Sequence, residues 1–124
     1  MSRILVVEDE ETLAHALASV LEDEGFEAAI APDGEVALQK IAQWRPDLVL
    51  LDLMMPVVDG FGVLDALEKA PSDGRPIVVV TTAASPHVID RRRCAELLIK
   101  PFRLEKLLDA VKRGLGDGER KAGP

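Results

Sequence analysis

"LVLLDLMMPVVDG", residues 48–60, is the stretch that decides the fold. Leu48, Val49, Leu50, Leu51 and Leu53 form an apolar run, the pattern of a strand covered on both faces. One acid, Asp52, stands inside that run. A buried carboxylate is costly unless it is paired or binds a cation, so the position asks for partners. The same strand pattern recurs in "RILVV" (3–7) and "IVVVTT" (77–82), and more weakly in "FEAAIA" (26–31) and "LLIK" (97–100).

Between these runs the spacing becomes helical. Leu13, Leu17, Val20 and Leu21 fall on one face of 8–25, with Gly25 as a stop, and Val36, Leu38, Ile41 and Ala42 recur in 32–44 ahead of Pro46. Residues 61–70 and 103–115 also read as helices. Residues 86–96 read as a short helix, with Ser85 as its N-cap and Pro86 in its first turn. The expectation is an α/β domain: a doubly wound, five-stranded parallel sheet, (βα)5, with helices on both faces and a shortened fourth helix. The domain is expected over 1–116, and the polar, glycine-rich 117–124 as a flexible tail.

The 124 residues carry a formal net charge of −7 and are 48% apolar, which suits one soluble domain with a real core. The negative charge argues against direct binding to nucleic acid or to an anionic membrane. A single cysteine, Cys94, forms no internal disulfide and reads as a small apolar residue, and the first apolar run is too short for a signal peptide. A cytoplasmic protein is expected.

Doubly wound sheets bind ligands at the carboxyl ends of their strands. There the chain places Glu8 and Asp9 after the first strand, Asp52 at the third, Thr81 and Thr82 at the fourth and Lys100 at the fifth. Crowded carboxylates repel one another, and a divalent cation relieves the repulsion. Each residue alone has an ordinary structural reading, but chance assembly of all of them in order is rare.

On these residues the chain resembles the receiver domain of two-component response regulators, with a stand-alone, chemotaxis-type, flavodoxin-like fold. The matching motifs are Glu8-Asp9, Asp52 with Pro56, Asp59 and Gly60, Thr82-Ala83, and Lys100-Pro101-Phe102. The resemblance implies that Asp52 accepts a phosphoryl group from a histidine kinase or histidine phosphotransfer protein. It implies Mg²⁺ held by Asp9, Asp52 and the backbone carbonyl of Met54, with Glu8 acting through water. Thr82 would bind one phosphoryl oxygen and Lys100 another, and the Lys100–Pro101 bond would be cis. Such a protein catalyses its own phosphorylation and dephosphorylation and turns over no external substrate.

Three features depart from the family. The stretch from Thr82 to Lys100 is short, "CAELL" replaces the usual small pair before the last strand, and Leu97 stands where an aromatic is usual. The output is therefore expected to run through 83–93, with Arg91, Arg92 and Arg93 on the responding surface toward an unknown partner; the ordinary reading of that run is a solvated face. Two other functions compete. One is a receiver-like interaction module that works without phosphorylation. The other is a small phosphohydrolase, disfavoured because Met54 stands where such enzymes carry a second acid.

Overall fold

The computed structural model describes residues 1–55 and 57–122, with side chains as far as 116. Pro56, named above in the family motif, lies outside the described residues. Five strands, β1 (Arg3–Val7), β2 (Glu27–Ala31), β3 (Leu48–Asp52), β4 (Ile77–Thr82) and β5 (Glu96–Ile99), form one parallel sheet in the order β2-β1-β3-β4-β5. Four α-helices cover it: α1 (Glu11–Asp23), α2 (Gly34–Trp44), α3 (Gly60–Lys69) and α4 (Leu104–Ala122).

Alternation along the strands divides the core in two. Ile4, Val6, Leu48, Leu50, Val79 and Leu98 meet Leu17 and Leu21 of α1 and Leu107, Ala110 and Val111 of α4. On the other face Leu5, Val7, Val49, Leu51, Val78 and Val80 meet Ala37 of α2 and Val63, Leu64 and Leu67 of α3. Both faces of β3 are buried, which is why residues 48–51 read as an uninterrupted apolar run.

The expected fourth helix is not an α-helix. Its place is taken by two 3₁₀ turns, Pro86–Val88 and Arg91–Arg93, capped by Ser85 and Asp90 through bonds from the His87 and Arg92 amides. Ser85 and Pro86 do start a helical turn, but Ile89 is extended and buried, and it breaks the chain between the two turns. Only 13 residues separate Thr82 from Glu96, and they must return the chain along the sheet. A 3₁₀ turn gains about 2 Å per residue against about 1.5 Å in an α-helix, so it covers the distance with fewer residues. The unit is therefore five strands with four α-helices.

The last helix extends to Ala122 and so runs into the stretch expected to be a tail. No helix of the described residues is long and apolar enough to cross a membrane.

Candidate functional site

The order of the strands reverses between β1 and β3, and the carboxyl ends of those two strands deliver the acids. Glu8 and Asp9 follow β1, and Asp52 is the last residue of β3. Glu8 and Asp52 are almost fully buried and Asp9 is exposed. One carboxylate oxygen from each lies within 4.8 Å of the others.

Lys100 reaches them from the far side of β4. Its amide donates to the Thr82 carbonyl at 2.8 Å, which fixes the backbone just beyond β5, and the Lys100–Pro101 bond is cis, as expected. The ammonium Nζ then donates to Glu8 Oε1 at 2.7 Å and lies 3.4 Å from Asp52 Oδ2. The remaining oxygens are tied to the backbone: Glu8 Oε2 accepts from the Glu10 amide and Asp52 Oδ1 from the Met54 amide, each at 3.1 Å.

Burial pushes the Glu8 carboxyl up, and the nearby Asp52 charge adds to that, while the Lys100 and Glu10 hydrogen bonds hold it down. Burial alone would lower the Lys100 ammonium, but the bond to Glu8 and the charge of Asp52 outweigh it, and its pKa rises. The two directions differ in source: burial leads for Glu8, while for Lys100 the bond to Glu8 and the charge of Asp52 prevail over burial. Three carboxylates gather around one ammonium. The donor set is all oxygen and its excess charge is two, which suits a hard divalent cation such as Mg²⁺.

Glycine shapes the loop after Asp52. A Cβ at Gly60 would lie 2.5 Å from the Asp52 carbonyl oxygen and 2.6 Å from Leu53 Cα. Without one, the Gly60 amide donates to the Leu53 carbonyl at 3.0 Å, and α3 begins directly against the end of β3. Asp59 caps that helix, accepting from the Gly62 amide at 3.0 Å. Gly34, at the start of α2, donates to the Val58 carbonyl at 3.0 Å and holds the loop from outside.

Thr81 is the register partner of Asp52, so the two residues share a face of the sheet. Thr82 is the last residue of β4 and is fully buried, and its Oγ1 accepts from the Ala84 amide at 3.0 Å. Met54 exposes its side chain, and its amide rather than its carbonyl meets Asp52. Leu97 is half-buried and packs against the core on the α2/α3 face.

The arginine run is not uniformly solvated. Arg92 forks onto its own cap, Asp90, and holds that carboxyl at about 2. Arg93 turns to α3 and pairs with Asp65 and Glu68. Sequence reasoning missed those two acids; their i, i+3 spacing on an amphipathic helix was the available signal.

A carboxylate on a buried strand end, two further acids beside it and a lysine closing the pocket define an acidic site at an α/β switch point. The sequence matches the response regulator receiver domain over residues 4–112, and the chain belongs to that family of signalling proteins. It is 38% identical over 122 residues to the DNA-binding response regulator MtrA of Mycolicibacterium smegmatis, covering 94% of this chain and 52% of that protein. It is 36% identical over 140 residues to the sensory transduction protein RegX3 of the same organism, covering 100% of this chain and 60% of the relative. The chain thus spans little more than half the length of these relatives.

Among solved structures, the response regulator TrrA of Thermotoga maritima, in complex with Mg(2+)-BeF, superposes with a TM-score of 0.83 at 34% identity, covering 93% of this chain and 100% of that one. The chemotaxis response regulator CheY4 of Vibrio cholerae gives 0.82 at 29%, covering 93% and 99%.

Proposed function

We propose that this receiver is the phosphoacceptor of a two-component phosphorelay and that Asp52 takes the phosphoryl group. The observation that carries this reading is the pairing of Asp52 with Lys100 at 3.4 Å, on a rigid strand end, beside Glu8 and Asp9. An Asp52 oxygen attacks the phosphorus of a phosphohistidine on a histidine kinase or phosphotransfer protein. An O–P bond forms, the P–N bond breaks, and the imidazole leaves with its electron pair. The protein has little covalent chemistry to perform in such a transfer, so positioning and charge neutralisation do most of the work.

Strand β3 holds the nucleophile still. The Met54 amide occupies Asp52 Oδ1, which orients the carboxylate, and Lys100 stands ready to pair with the incoming phosphoryl oxygens. Thr82 is assigned the hydroxyl that meets another of those oxygens. Glu8, Asp9, Asp52 and the Met54 carbonyl would hold Mg²⁺, with Glu8 acting through water. Bound there, the ion would neutralise charge on the transferring group. The same residues serve autophosphorylation from small donors and dephosphorylation, with no external substrate turned over.

We assign the receiver unit to 1–116, with 117–124 as a tail into which α4 continues as far as Ala122, and a cytoplasmic setting in reach of the kinase. The net charge of −7 supports an output through protein contact at 83–93 rather than direct contact with nucleic acid or membrane. The reading as a module that works unphosphorylated is disfavoured, because every pocket side chain the chemistry needs is present.

The test is acetyl phosphate with Mg²⁺ followed by intact mass measurement. One phosphoryl group should add to the wild-type chain and none to Asp52→Asn. Labelling that survives in Asp52→Asn, or a wild-type chain that takes no label, overturns the reading.

A further inference from the structure

The segment that replaces the fourth helix is held to the rest of the molecule by few contacts. Ile89 is its one deeply buried apolar side chain, and Cys94 packs in part against the same core. Its hydrogen bonds are mostly internal: Ser85 and Asp90 cap their own turns, and Arg92 returns to Asp90. Between its second turn and the C-terminal half of α3 lies a cleft of about 360 Å³, floored by Leu64, Leu67 and Val78. Apolar packing therefore does not close this junction.

Arg93 closes it. Its Nε donates to Glu68 Oε2 at 2.8 Å and its Nη2 to Glu68 Oε1 at 3.0 Å, a two-pronged fork, and Nη2 also reaches Asp65 Oδ1 at 2.6 Å. Its side chain is 26% exposed, well below that of either acid. A guanidinium fork on a carboxylate fixes direction as well as distance, which a lysine does not do.

The other end of α3 is fixed to the acceptor. The Gly60 amide is bonded to Leu53, a Cβ on Gly60 would collide with the Asp52 carbonyl, and the loop between starts from an amide bound to the Asp52 carboxylate itself. Val63, Leu64 and Leu67 seat the helix between these ends on the core. A change at the Asp52 carboxylate thus meets a rigid rod of ten residues, and the far face of that rod carries the two acids that Arg93 grips.

We propose that Arg93 couples residues 83–95 to α3, so that α3 conveys the state of Asp52 to the segment that replaces the fourth helix. This rests on the assignment of Asp52 as acceptor made above. Arg93 is a positioning residue: it touches neither the acceptor nor the phosphoryl group. It gives the chain a second route to 83–95 besides the direct one from Thr82, in a protein whose Leu97 offers no polar edge to swing.

Amide hydrogen exchange on the whole chain tests this, with intact mass read on the same samples. Wild type, Arg93→Ala, Arg93→Lys and the double variant Asp65→Asn/Glu68→Gln are compared with and without acetyl phosphate and Mg²⁺. In the unphosphorylated chains, exchange at 83–95 should rise about fivefold in Arg93→Ala and in the double variant, and less in Arg93→Lys. On phosphorylation, wild type should change at both 60–69 and 83–95. Arg93→Ala and the double variant should gain the same phosphoryl mass and keep the change at 60–69, while losing most of it at 83–95. A wild-type response at 83–95 in both of those variants overturns the coupling. A wild-type chain that gains no mass overturns the acceptor assignment instead, and unaltered exchange at 83–95 in the unphosphorylated variants still overturns the latch.

Discussion

Replacing Lys100 by methionine keeps most of the aliphatic stem and removes the ammonium that faces Glu8 and Asp52. At an effective dielectric of about 20, the contacts at 2.7 Å and 3.4 Å correspond to gross attractions of about 6 and 5 kcal/mol. Desolvation of the ammonium offsets much of that. Removing one partner of a buried pair costs about 3–5 kcal/mol, and the lower end applies because Lys100 keeps a fifth of its exposure.

Lys100→Met should therefore be about 3 kcal/mol less stable than wild type in urea unfolding at pH 7 with EDTA. The pH dependence has a definite sign. Glu8 already has a folded pKa above its ordinary 4.5, so its contribution to stability is full below that value and is lost as pH rises through the folded value. Removing Lys100 takes away two of the influences that hold Glu8 down, so its folded pKa rises further and the loss is larger. Lowering the pH from 7 to 5 should narrow the gap between variant and wild type as Glu8 takes up its proton. Mg²⁺ at pH 7 should narrow it as well. A variant as stable as wild type in EDTA, or a gap that widens toward pH 5, would refute the charge account of this pocket.

Gly60→Ala places a methyl group against the Asp52 carbonyl and Leu53 Cα, both backbone atoms that cannot rotate away. It should cost about 1–3 kcal/mol in urea unfolding and slow labelling by acetyl phosphate, and unchanged values for both would show that the loop yields freely. Asp9→Asn should weaken Mg²⁺ binding about tenfold or more by calorimetry, and equal affinity would mean that the exposed acid is not a ligand. Thr82→Ala should slow labelling while Thr81→Ala, its neighbour on β4, leaves the rate within about twofold; the reverse ranking would move the hydroxyl role to Thr81.

Much of this was legible in the sequence for physical reasons. Strands buried on both faces read as apolar runs, so β1, β3 and β4 stood out, and the acids after β1 and at the end of β3 followed from topology; Lys100 follows the weaker, partly exposed β5. Two things resisted. Residues 83–95 carry a helix start at Ser85 and Pro86, and nothing local says that Ile89 turns inward and ends it; that depends on the length the chain must cover between β4 and β5. The role of Arg93 depends on which face of α3 points toward the segment, and neighbours 25 and 28 residues apart are visible only in the folded chain. "DRRRC" looked like one charged patch, but its three arginines do different things. Arg92 serves its own turn, Arg93 crosses to α3, and the Arg91 carbonyl meets the Cys94 amide.

That division bears on how such a pocket signals. Inside the site the charges are crowded enough that a phosphoryl group, a divalent ion or a proton must each displace the others' balance. Outside it, the sheet and α1 are packed too tightly to respond cheaply. One junction that touches an element fixed to Asp52 is that between α3 and 83–95, where a cleft lies beside the Arg93 ion pairs. A bistable element has to be marginal, and a helix shortened into two 3₁₀ turns with one buried apolar anchor meets that condition. The missing aromatic at Leu97 and the shortened fourth helix then belong together. With no ring to swing and little helix to carry, the proposed route assigns the response to the backbone turns and the charge pairs that hold them.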